Sequence, residues 1–106
     1  MSHTLAPHSI RTTREAFGLS SAQFAGALGV HPTTVSRWET SRIPAVAVEG
    51  TAWTILSSVS RRIEQDAHAR SLAHAQGQRI AEALLIAGSV VALALLVDFA
   101  AERLRG

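Results

Sequence analysis

The sequence predicts an all-α fold, a bundle of four to five short helices followed by an apolar C-terminal helix, and three observations predict it. Leu19 to Pro44 reads as two short helices around a tight glycine turn. Val48, Ala52, Ile55, Leu56, Val59 and Ile63 recur at the spacing of one helix face. Ala83 to Val97, ALLIAGSVVALALLV, then runs without a charge.

The central stretch is the most informative. Ser20 suits an N-cap and Gln23 stands three residues later, which makes a capping box. Phe24, Ala25 and Leu28 form the apolar stripe of one short helix, and Gly29 suits a left-handed C-cap. Val30 points inward from the turn. Pro32 favours the first position of the second helix, which runs to Thr40. Val35 and Trp38 face inward, and Glu39 beside them bonds the domain's own backbone or an arginine such as Arg14. The other face shows Thr33, Thr34, Ser36 and Arg37.

The motif L19-S20, F24-A25, L28-G29-V30, P32, T33-V35-S36-R37-W38-E39 and P44 resembles the helix-turn-helix of the Xre/Cro family of DNA-binding domains. Ile10 to Gly18 resembles that family's first helix, and the likeness covers about Ile10 to Ile63. The resemblance implies a lambda-repressor-like bundle and a transcriptional regulator, repressor-like and dimeric, that lays residues 32–40 in the major groove of double-stranded DNA. It implies base contacts from Pro32, Thr33, Thr34 and Arg37, where Arg37 can take a guanine's O6 and N7 together. It implies phosphate contacts from Ser21, Ser36, Thr40 and Arg42. Two positions depart from the family's pattern. Ser21 stands where Gln is frequent, which bears on one phosphate contact. Ser41 stands where Gly is frequent, so the turn there uses Ser or is reshaped.

Composition sets bounds on these readings. A chain of 106 residues holds one small domain plus a tail. All ten basic residues are Arg, and the net charge is only +2. There is no cysteine, which excludes disulfides and thiol catalysis. The five histidines show no metal-ligand spacing, and no Ser/His/Asp set, acid pair or phosphate-binding glycine loop is present. The protein is therefore read as a non-enzyme with no cofactor and no metal. No apolar run follows Met1, so no secretory signal is read and the N-terminal half is expected in the cytoplasm.

In chain order, residues 1–9 are expected as a flexible arm and 10–63 as the DNA-binding domain. Within the domain, Ile10 to Phe17 makes the first helix, with Arg11 and Arg14 facing solvent or phosphate. A helix is expected from about Ala45 to Ile63, with a close packing contact at Gly50. Residues 64–79 are polar and alanine-rich and read as a helical spacer, with Gly77 its weak point. Residues 80–106 read as an apolar helix with no face meant for water. Two roles compete for it. One is a membrane span through residues 80–101, tethering the domain to the inner face of the cell membrane. The other is a buried homodimer helix, favoured by the cost of placing Glu82 and Asp98 in lipid. Either would use Leu84, Ile86, Gly88, Val90, Ala92, Leu93 and Val97, with Gly88 and Ala92 as a small-xxx-small pair. Two alternatives stand beside the regulator. One is a membrane-anchored adaptor whose Xre-like domain binds a protein such as a cytoskeletal filament. The other is an antitoxin-type repressor with a toxin partner.

Overall fold

Pro7 sets the first turn of helix α1 (Pro7–Phe17), and Gly18 closes it. The computed structural model describes residues 3–103. After α1 come α2 (Ser21–Leu28), α3 (Pro32–Thr40), α4 (Gly50–Gln65), α5 (Ala67–Ile86) and α6 (Ser89–Asp98), followed by a π-helical turn, Phe99–Arg103. The all-α expectation holds.

The core is continuous from end to end. Ile10, Phe17, Phe24, Val35, Ile55, Leu56 and Val59 bury the inner faces of α1 to α4, and Ile80, Leu96 and Phe99 join the same cluster. Side chains of that size contribute about 1.5–3 kcal/mol each when fully buried. Residues beyond 63 therefore complete the bundle instead of trailing from it.

Four features differ from the sequence reading. The first is the N-terminal segment. Thr4–Leu5 form a short strand, β1, paired antiparallel with β2 (Val46–Ala47) in the register Thr4↔Ala47 and Leu5↔Val46. The Val48 amide donates to the His3 carbonyl at 2.9 Å, and the His3 ring stacks on Trp53. So the expected arm is a strap from His3 to Leu5, and Pro7 to Ser9 are already helical; Met1 and Ser2 lie outside the described residues.

The second is the start of α4. Val46 and Ala47 are held as strand, so the helix begins at Gly50 rather than near Ala45. Gly50 has φ +64° and open space around it, so its role is a backbone turn and not a packing contact.

The third is the 64–79 segment, which has a buried stripe of its own. Asp66 ends α4 and caps α5, accepting from the His68 amide at 2.9 Å. Ala69, Ala73, Gln76, Gly77 and Ile80 are then buried along one face of a helix that continues without a break to Ile86. Small residues at that spacing let α5 lie close on α1. A Cβ built on Gly77 would fall inside the van der Waals envelope of the Phe17 carbonyl, so Gly77 is a close backbone contact and not a weak point.

The fourth is the apolar end. It is two helices, because Gly88 takes φ +94° and ψ 179°, a conformation that L side chains rarely adopt. The chain turns back there, and α6 packs on α5 and α2. Gln76 Nε2 donates to the Leu95 carbonyl at 3.2 Å and pins the return. Phe99 meets Phe17 edge to face, with centroids 5.2 Å apart. No helix of the described residues is long and apolar enough to cross a membrane. The seven residues expected on one oligomer or membrane helix are consequently divided. Ala92 is fully buried, Leu84 and Leu93 are half-buried against the core, and Gly88 sits half-buried at the turn. Ile86, Val90 and Val97 remain at the surface.

Candidate nucleic-acid interface

The site is built from α2, the turn after it and α3. The α2 start is fixed twice over. Gln23 N donates to Ser20 Oγ at 3.1 Å, and Ser20 N donates to Gln23 Oε1 at 2.9 Å. At the other end Gly29 adopts φ +75°, and the Val30 amide reaches back to the Ala25 carbonyl at 3.0 Å. This paired closure is the Schellman pattern, with Val30 packed on the core. The turn so formed aims the start of α3.

His31 caps α3. Its Nδ1 accepts from the Thr33 amide at 3.1 Å, ahead of Pro32 at the first helical position. Sequence reasoning missed this, because Ser, Thr, Asp and Asn are the usual caps; the only signal was the X-Pro step at the helix entrance. His31→Ala should cost about 1 kcal/mol of stability and His31→Asn much less, since Asn supplies another acceptor. Chemical denaturation of both variants measures the difference.

The inner face of α3 carries Val35, Trp38 and Glu39, all buried. Glu39 is held by two arginines of α1. Arg14 Nε and Nη2 donate to its two carboxylate oxygens at 2.8 and 2.9 Å, a bidentate pair. Arg14 Nη1 also donates to the Leu19 carbonyl at 3.0 Å. Arg11 Nη2 donates to the Glu39 carbonyl at 3.3 Å, and its Nε lies 3.5 Å from the carboxylate. The hydrogen bond to Glu39 raises the Arg14 pKa from its ordinary value, against the opposing effect of burial. Of the two readings of Arg14, inward to Glu39 or outward to phosphate, the structure has the inward one.

The outer face of α3 is open. Pro32, Thr33, Ser36, Arg37 and Thr40 are exposed, and Thr34 is half-buried. These five exposed positions follow the helical repeat along one side. The Thr40 hydroxyl donates to the Ser36 carbonyl at 2.8 Å, leaving its oxygen lone pairs outward. Arg42 is exposed just past the helix, and Ser21 is half-buried in the first turn of α2. The position after α3 uses Ser without a left-handed turn: Ser41 is extended, and its Oγ accepts from the Ile43 amide at 3.3 Å. Between Leu19 and Pro44 the only acid is Glu39. With that charge matched by Arg14 and turned inward, the outer face presents hydroxyls and two cations, Arg37 and Arg42.

Residues 10–48, less than half of the chain, match the family model described as Helix-turn-helix, of the Xre/lambda repressor-like kind. The match runs from Ile10, within α1, through β2 and stops before α4. A search of curated proteins found no match, and a search of solved structures found none either.

Proposed function

We propose, from a chain whose residues 10–48 are an Xre/lambda repressor-like helix-turn-helix, that this protein is a dimeric, repressor-like regulator that reads a specific DNA sequence with α3. The family match supports a DNA-binding helix-turn-helix regulator. The observation that carries the rest is the outer face of α3: small hydroxyls and Arg37 exposed, with the nearby carboxylate neutralised on the opposite side. A helix of this kind enters the major groove with its N-terminal residues toward the base edges. Thr33 and Arg37 then read bases from beside Pro32 and Thr34. Ser21, Ser36, Thr40 and Arg42 hold phosphates, with the backbone amides at the start of α2 assisting. One module this small reads few base pairs, so two copies on half-sites about one helical turn apart supply the specificity.

The test is selection of a binding sequence from random duplexes, followed by titrations with variants. Arg37→Ala should lose about 1–3 kcal/mol on the selected site and relax preference at one position. Arg42→Ala should weaken all sequences alike and lower the salt slope by about one. If no duplex is selected and binding is absent even at low salt, the DNA reading fails. The adaptor alternative drew partly on a membrane span, and the described helices supply none long and apolar enough.

A further inference from the structure

The turn between α5 and α6 leaves large aliphatic side chains in water. Leu85 is 87% exposed, Ile86 77% and Val90 79%, with Val91 less so. Next to them, a groove of about 310 Å³ runs between the two helices, lined by Arg79, Glu82, Ala83, Ile86, Ala87 and Leu95. The same end of the molecule therefore carries both apolar knobs and an apolar hollow. At the groove's edge stand one cation and one anion, Arg79 and Glu82, a helical turn apart on α5. Neither takes part in any ion pair among the described residues.

We infer that this hairpin end docks on a second copy of the chain through a two-fold axis, with the knobs of each protomer in the groove of the other and Arg79 of one against Glu82 of its partner. A two-fold contact uses one patch twice, so the patch must complement itself in shape and charge. This one does both: cation and anion lie side by side, and antiparallel packing of α5 on its copy exchanges them. Ala83, next after Glu82 and also lining the groove, is small enough for close approach. The mixed charge is a poor match for an anionic lipid surface, which would meet Glu82 as well as Arg79. A dimer there also uses none of the residues of the candidate interface, since the groove is lined from α5, α6 and the turn between them while the interface is built from α2 and α3. The inference rests on the dimeric part of the proposed function. It is measured without DNA, so failure of operator binding leaves it standing.

The experiment is sedimentation equilibrium of the full chain over a wide concentration range. The wild type should dimerise. Ile86→Glu should weaken the dimer ~30-fold or more, as expected for a central anchor, with an unchanged helical spectrum because the site is exposed. Arg79→Glu and Glu82→Arg should each weaken self-association when alone. Mixed in equal amounts they should form a heterodimer, since one copy then carries two anions and the other two cations. A monomeric wild type, an Ile86→Glu dimer as tight as the wild type, or a mixture no tighter than its parents would overturn the inference. So would a wild type that stays monomeric in solution and co-sediments with phosphatidylserine vesicles.

Discussion

Gly77→Ala is expected to cost about 3 kcal/mol or more, the upper end of the range for overpacking. Two effects oppose each other at this position. Alanine in a helix interior is favoured over glycine by about 0.5–1 kcal/mol. Against that, the new Cβ meets backbone, the Phe17 carbonyl, which cannot turn aside as a side chain can. To admit it α5 must lift from α1, which opens the contacts around Ala73, Ile80 and Phe17. The clash wins by a wide margin. A domain of this size shifts about 4–8 °C per kcal/mol, so the midpoint should fall by roughly 10–25 °C. Ala75 is exposed two residues earlier and isolates propensity: Ala75→Gly should cost only about 1 kcal/mol. If Gly77→Ala melted above the wild type, the close approach of α5 to α1 would be refuted.

Glu39→Ala is the second large effect. It leaves the Arg14 guanidinium partly buried without its carboxylate. Breaking such a pair costs about 3–5 kcal/mol when both groups are fully buried. Glu39's side chain is 5% exposed and Arg14's 19%, so water relieves some of the loss and the lower end applies, about 3 kcal/mol. Glu39→Gln keeps an acceptor but removes the charge and should fall between Ala and wild type. The sign with pH is definite. A pKa raised in the folded state gives stability that is present while the unfolded group is protonated and is lost only as pH rises through the folded value. For an arginine that loss lies above any working pH, so the alkaline side should show no fading of this pair. A double-mutant cycle with Arg14→Ala measures the coupling, and independence of the two substitutions would show that the pair is not a unit.

Local chemistry was legible in the sequence wherever one residue settles one geometry. Ser20 with Gln23, Gly29, Pro32 and the inward Val35 and Trp38 stand as the pattern indicates. For Glu39 the pattern allows the backbone or an arginine such as Arg14, and the folded chain pairs its carboxylate with Arg14 in bidentate geometry. What was not legible depends on partners distant in the chain. The α5 stripe of Ala69, Ala73 and Gly77 looks like a polar spacer because its inward residues are small. Their use, close approach to α1, shows only when α1 is there. The break at Gly88 was hidden by the uniform hydropathy around it, which suits one long helix as well as two. The strand pair of Thr4–Leu5 with Val46–Ala47 is too short for any periodicity. The candidate contacts Thr33, Arg37 and Arg42 lie at the surface, where no neighbour in the fold fixes what they meet.

The Phe17–Phe99 contact has a consequence for synthesis. Residues of the helix-turn-helix emerge from the ribosome before the aromatic ring that covers Phe17, which lies 82 residues further along. The nascent motif therefore has no lid over Phe17 until α5 and α6 are made, and α2 lacks half of its packing until then. Folding should be late and all-or-none, governed by contacts of long sequence separation. A product terminated at Arg79 would expose Phe17 and the α2 surface and should be cleared by proteases or bound by chaperones, giving cells less of the helix-turn-helix segment, not a free one.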